Sequence, residues 1–390
     1  MKGSKIKKMV NKNFYAVINS LVDRAVVGQV SEIVDYNTFV DAGKQLTALQ
    51  INDLQNGFLN SLMNKVSLTI DTYRGYEPAF NDMYKGTTNG GVIELLVHHF
   101  YEAKQAPFID LQDTDNDNAF VIAKPKLEAR YYTDEVAYQI PITRSDTELR
   151  AAWKSPEAMD SFITSIFGDV SNSINYEKEV SRINAVCSMV ADVIGKMKDE
   201  TITPAASSDK AAQVYKLVTL YNQEKAPDKS EVTSANALQD TDFVRWMVAT
   251  IRKVGKLAEK PTAKFNLASI KTFTPKREQK LKLLSKVDSA IRVSQITAYN
   301  DKYGALDEYE VLPFWQNIDD PMAITEQGGE GRITGVVAVL YDTYALGEFV
   351  NMENVTSMYN GRKLYTTYYY NGIRRYIRNH NANFIVFTLE

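Results

Sequence analysis

The sequence has one cysteine, Cys187, and three histidines in 390 residues. A lone thiol excludes an internal disulfide framework and fits a reducing compartment such as the cytoplasm. Two of the histidines, His98 and His99, are adjacent, so they point in different directions from a helix or a strand. No third ligand stands at metal spacing from them, and no metal centre is expected. No apolar run approaches the roughly 18 residues of a membrane-spanning helix. An excess of one charge is missing too: 45 Lys+Arg stand against 48 Asp+Glu, a net charge of -3, which excludes a strongly basic nucleic-acid footprint at the level of the whole chain. What is there, 44% apolar and 24% charged residues, is that of a globular protein long enough for two or three domains.

The motifs of catalysis are missing as well. DTDNDNAFVIAK places Asp113, Asp115 and Asp117 at positions one, three and five of an EF-hand-like loop. Asn118 then replaces the turn glycine and Lys124 the bidentate glutamate, so a solvated loop tip is the better reading. GGEGRITG (328–335) lacks the Lys-Ser/Thr of a phosphate loop, and Glu330 would repel a phosphate. There is no G-x-S-x-G elbow, and Cys187 lies in an apolar helical stretch that favours an inert thiol. No enzyme activity and no cofactor are expected.

The chain begins with a basic patch, Lys2, Lys5, Lys7, Lys8 and Lys12. Asn11, Asn13 and Asn19 break up the apolar residues near it, so a signal peptide is not expected and a solvated terminus is. Residues 13–66 read as two helices separated by Gly28 and an extended SEIVDYNTF. Residues 106–146 change pattern. LEARYYT and EVAYQIPIT are extended, with a turn expected at Thr133-Asp134-Glu135, and Val136, Tyr138, Ile140 and Ile142 alternate onto one face. Pro125 and Pro141 place this β segment at an edge or bulge. Ser155 as N-cap and Pro156 at the first position then open a helix with apolar residues at three- and four-residue steps to Met197, roughly 60 Å if unbroken.

Residues 200–335 alternate helices and short strands. Thr241-Asp242 caps a helix, FNLASIKT reads as a buried strand, and Thr274 with Pro275 starts a helix over PKREQKLKLL. GVVAVLY, apolar on both faces, is expected to be a central strand, YALGEFV a short helix capped by Asp342, and FIVFTL a last buried strand.

The closing RKLYTTYYYNGIRRYIRNHNANFIVFTLE is the densest tyrosine and arginine stretch. It suits either a stacking platform for nucleic acid or a protein interface. A platform normally comes with a basic groove and module motifs, and neither is present, so the interface reading is preferred, with Tyr368 and Arg374 as interface residues.

The order of these parts resembles the major capsid proteins of tailed bacteriophages, the Hong Kong 97-type fold. The phrases that carry the resemblance are EVAYQIPITRSD running into SPEAMDSFITSIFGDVSNSINYEKEV, then TAKFNLASIKTFTPKREQKLKLL with ALDEYEVLPFWQ, then GVVAVLYDTYALGEF with NGRKLYTTYYY. The resemblance implies an α+β chain with an N-terminal arm and helices (1–90), an extended β loop region (91–150), a spine helix of a peripheral domain (151–200), an axial α/β domain (201–335) and a C-terminal return to the peripheral domain (336–390). It implies a head protein that self-assembles through pentamers and hexamers into an icosahedral shell around packaged double-stranded DNA. It further implies non-specific contact with that DNA, residence in the virion after assembly in the bacterial host's cytoplasm, and no membrane partner. Portal protein is an implied partner, and scaffolding comes from a separate polypeptide or from the helical 1–66 arm. The family's loop lies over an adjacent subunit, which makes Asp113, Asp115, Asp117, Lys124, Lys126 and Arg130 interface candidates. No Lys–Asn cross-linking pair is placed. An encapsulin-type nanocompartment shell shares the architecture, and a nucleic-acid-binding protein is the alternative from another class.

Overall fold

The computed structural model describes residues 19, 32–48, 76–88, 90–99, 127–199, 213–225, 231–296, 309–325 and 332–389. Its longest element is the expected helix. Ser155 caps it by accepting from the Ala158 amide at 3.1 Å. The helix (α3, Pro156–Asp199) runs 44 residues, roughly 66 Å, and Gly168 does not interrupt it. Before it come α1 (Tyr36–Ala48) and α2 (Asp146–Ala152). Helix α1 starts inside the segment expected to be extended, because Asp35 accepts from the Thr38 amide at 2.8 Å and so supplies a cap.

Two sheets flank this helix. The first has four strands in the order β1 (Tyr84–Thr87), β11 (Leu346–Asn360), β12 (Tyr365–Arg378) and β4 (Glu135–Ser145). Strand β4 is an edge, which is why Pro141 is tolerated within it. The second has the order β5 (Val214–Lys216), β13 (Phe384–Thr388), β10 (Val336–Asp342), β6 (Gln279–Leu284) and β7 (Tyr309–Leu312). GVVAVLY is its central strand, buried at every position of β10. Helices α4 (Leu217–Glu224), α5 (Thr241–Ala258) and α6 (Ser285–Ile296) belong to the region of this second sheet. A two-stranded ribbon, β2 (Ile93–His98) with β3 (Leu127–Tyr132), and a short pair, β8 (Ile324–Thr325) with β9 (Arg332–Ile333), complete the sheets.

Four local expectations are corrected. KREQKLKLL is a short 3-10 turn and then strand β6, because the slot between β10 and β7 buries Leu281 to Leu284. There tertiary pairing overrides the helix preference of Lys, Gln and Leu. FNLASIKT is a turn rather than a strand. The Asn266 side chain accepts from the Ile270 amide and donates to the Ile270 carbonyl, which closes the loop on itself. YALGEFV opens β11 instead of a helix. Asp342 does accept from the Tyr344 amide at 2.8 Å, but the chain then pairs with β12 from Leu346 onward. Thr133-Asp134-Glu135 is not a turn: two extended residues join β3 to β4, which begins at Glu135, and β3 pairs with β2 and β4 with β12.

Two apolar cores share the long helix. Its C-terminal half (Ile183, Val186, Val190, Val193) packs with the five-stranded sheet, α5, Phe80 and Met83. Its N-terminal half (Met159, Val170, Ile174) packs with Phe39, Trp153, Tyr368 and Tyr370. The C-terminal 55 residues divide in the same way: β11 and β12 join the four-stranded sheet, whereas β10 and β13 belong to the five-stranded one.

In the second core α1 is seated tightly. The Phe39 and Trp153 rings pack at a tilt of 32° with centroids 4.9 Å apart, and a Cβ on Gly43 would lie 2.8 Å from the Trp153 Cβ. Gly43→Ala is therefore expected to destabilise the chain by about 1–3 kcal/mol in urea unfolding through overpacking. An unchanged midpoint would show that α1 is not held against Trp153.

Candidate assembly surfaces

Strand β12 places its tyrosines and arginines by simple alternation. Thr366, Tyr368 and Tyr370 face the core, and Tyr365, Thr367 and Tyr369 sit at intermediate exposure. Alternation along LYTTYYY puts Thr366, Tyr368 and Tyr370 on one face, and the partner of that face is this chain. Tyr368 is fully buried and Arg374 is 2% exposed, so neither offers surface to a neighbouring subunit. The reason is electrostatic for the arginine. Glu348, fully buried on β11, accepts from Arg182 Nε of α3 at 2.6 Å and from Arg374 Nη1. Arg182 also donates to the Ala79 carbonyl and to Asn81 Oδ1 at 2.7 Å. Arg374 donates to Glu353 Oε1 at 2.9 Å and lies 5.3 Å from the Tyr138 ring centroid. Arg375 pairs with Glu135 and donates to the Gly90 carbonyl.

Segment 76–88 straps the long helix to the five-stranded sheet. Asn175 donates to the Tyr76 carbonyl, and Glu179 accepts from the Tyr76 hydroxyl and the Ala79 amide. Beyond Phe80, which holds a left-handed backbone (φ 58°), Asp82 meets buried Lys282 of β6 and accepts from the Tyr341 hydroxyl at 2.7 Å. Burial alone would raise the Asp82 pKa, but Lys282 and the Tyr341 hydroxyl outweigh it and hold the carboxyl below its ordinary value. Glu310 is the second carboxylate on Lys282. These are ties between elements, and they show no nucleophile beside a base. Burial likewise pushes the Cys187 thiol up to about 12, which suits a packing role. Among the described residues no three His, Cys, Asp or Glu side chains converge for a metal, and no helix is long and apolar enough to cross a membrane.

Among the described residues, one group of uncovered apolar side chains lies on the ribbon. In its register Glu94 faces Tyr131, Leu96 faces Ala129 and His98 faces Leu127. That face is open: Leu96 is 52%, Leu127 51% and Tyr131 65% exposed. The other face beds on the chain itself. The Tyr132 hydroxyl donates to the Arg378 carbonyl at 3.2 Å, and Arg130 lines a cleft with Asp192, Leu267, Ala268 and His380. Arg130 thus lies toward its own chain. Asp113, Asp115, Asp117, Lys124 and Lys126 fall in the segment joining β2 to β3, outside the described residues. Leu96 and Tyr131 were missed from the sequence: period two puts alternate residues of each strand on a common face, but nothing in the sequence said which face the body would cover.

Two solved structures share this arrangement at low identity. A chain of the capsid structure of Staphylococcus phage Andhra superposes with a TM-score of 0.50 at 13% identity, over 82% of this chain and 86% of that one. A chain from the structure of the head fiber and inner core protein gp22 of native bacteriophage P68 gives a TM-score of 0.51 at 12% identity, over 81% and 86%. No curated protein sequence matches the chain. At such identities the likeness is one of fold, the α+β Hong Kong 97-type capsid fold. The family model for the Phi29-like phage major capsid protein matches residues 29–388, nearly the whole length. That match decides between the phage head and the encapsulin-type shell: this chain belongs to the Phi29-like phage major capsid protein family.

Proposed function

We propose that copies of this chain assemble, through rings of five and six, into a closed icosahedral shell that encloses double-stranded DNA. The four-stranded sheet with the N-terminal half of α3 forms the peripheral domain, and the five-stranded sheet with α4 to α6 the axial one. The observation that carries this reading is the open face of the ribbon. A two-stranded ribbon is marginal in water by itself. This one beds one face on its own chain and leaves Leu96, Leu127 and Tyr131 in solvent beside Glu94 and His98, apolar side chains with a polar rim of the kind that marks an interaction site. A neighbouring copy covers it. Asp113, Asp115 and Asp117, with Lys124 and Lys126, lie in the segment joining the two strands and meet the neighbour's long helix or peripheral domain, where opposite charges set register more than affinity. Scaffolding and portal proteins complete the head in the host cytoplasm. Electron microscopy of the purified full-length chain tests this. Closed particles or rings of five and six are expected, and a chain that stays monomeric even with its scaffold supplied would refute it.

A further inference from the structure

The near-neutral charge of the whole chain hides a local excess. From Arg245 to Lys286 there are twelve lysines and arginines against two glutamates, Glu259 and Glu278, in a chain whose net charge is -3. The fold gathers part of this run on one face. Helix α5 turns Phe243, Val244, Met247, Ile251, Val254 and Ala258 into the core. Its opposite side exposes Arg245, Arg252, Lys253 and Lys256, which fall within an arc of about 100° at 100° per residue, and one carboxylate, Asp242 of the first turn, shares that arc. Across a groove from that side stands the turn after Pro275, where Lys276 and Arg277 are exposed. Arg252, Lys256, Lys276 and Arg277 line one cavity of about 610 Å³ floored by Ile251, Gly255, Leu281 and Leu340. Glu259, which also lines the cavity, pairs with Lys256 at 3.2 Å, and Glu278 pairs with Arg277 at 3.3 Å. Six cations, Arg245, Arg252, Lys253, Lys256, Lys276 and Arg277, stand against these two glutamates and Asp242, so the face keeps a positive balance.

We propose that this face, made by the outer side of α5 and the 276–277 turn, is where the chain binds the phosphate backbone of the enclosed duplex. The proposal rests on the reading that the shell encloses DNA. Charge complementarity identifies the occupant as a polyanion. From Arg245 to Lys256 the cations span roughly 16 Å of helix at 1.5 Å per residue, and duplex DNA offers a negative charge about every 1.7 Å along its axis, so several phosphates fall in reach at any register. An acidic protein segment would instead need apolar anchors. Helix α5 exposes a single large apolar side chain, Leu257. The contact is one of phosphates alone, and it gives weak, salt-sensitive, sequence-independent binding.

The test uses the soluble full-length chain, a labelled 20-base-pair duplex and fluorescence anisotropy between 50 and 200 mM salt. Reversing Arg252→Glu, Lys256→Glu and Arg277→Glu together is expected to make the slope of log affinity against log salt shallower by about three. Affinity at 50 mM salt should fall about 100-fold. A control reversal of the exposed Lys44, Arg150 and Lys154 should leave most of the binding. Equal loss in both triple variants, or no loss in the first, overturns the proposal. So does a chain that ignores duplex but binds polyglutamate through these three residues, which would assign the face to an acidic protein. Circular dichroism confirms that both variants are folded. Particle formation by the same variants is scored separately: normal shells with unchanged DNA binding sink the basic face alone, whereas absent shells in the unmodified chain sink the assembly reading.

Discussion

Replacing Glu348 with glutamine is expected to destabilise the folded chain by about 3–5 kcal/mol, the cost of leaving buried charge uncompensated. The carboxylate has no solvent exposure and is shared by two guanidinium groups, Arg182 at 4% and Arg374 at 2% exposure. Glutamine keeps the shape of the side chain but offers one acceptor and no charge, so buried Arg182 loses its carboxylate partner and Arg374 keeps only Glu353, in a medium that does not solvate them well. The loss is structural in its reach. Glu348 is on β11, Arg374 on β12 and Arg182 on α3, and Arg182 also holds the strap at Ala79 and Asn81. Chemical denaturation of the soluble chain provides the measurement. Glu353→Gln is the matched control. Its carboxylate bonds the same Arg374 but is 39% exposed, so its loss should cost less than about 1 kcal/mol. If the two variants unfold at the same denaturant concentration, the buried network is not what joins the helix to the hairpin.

The double variant Leu96→Asp, Tyr131→Asp is expected to abolish shells while leaving the subunit folded. Both side chains lie on the open face of the ribbon, so in the isolated subunit they already meet water and their replacement removes little packing. In an assembled shell each would become a carboxylate at a covered apolar site. Losing two apolar contacts of about 1.5–3 kcal/mol each raises the concentration needed for assembly by about 100-fold or more, before any charge penalty is added. Light scattering follows assembly and thermal melting follows the fold. Normal particles would show that the ribbon's outer face stays in solvent. A melting point that falls with the loss of particles would show that the face belongs to the subunit's own core.

Ser155-Pro156 and the apolar steps behind them specified the 44-residue helix without help from its surroundings, since caps and periodicity are local signals. GVVAVLY and FIVFTL were legible as buried strands because a strand covered on both faces has no polar alternation to hide it. The basic run of 245–286 was equally local, yet a sum over 390 residues cancels it against acidic residues elsewhere. Counting charge in windows would have found it.

The closing tyrosines and arginines mark the limit of local signals. Their alternation fixed which side chains share a face, because successive residues in a strand point to opposite sides. It did not fix what that face meets. Tyr368 went to a core built with Phe39 and Trp153, and Arg374 to a carboxylate 26 positions away on a strand read as a helix. Periodicity is a property of the chain and its backbone geometry, so the sequence alone determined the long helix, the buried strands and the in-or-out sense of β12. Whether a face ends in the core or in solvent depends on which other segment packs against it. For β12, for KREQKLKLL and for the outer side of the ribbon, only the tertiary structure decided, because burial energy is set by contacts between residues far apart in sequence.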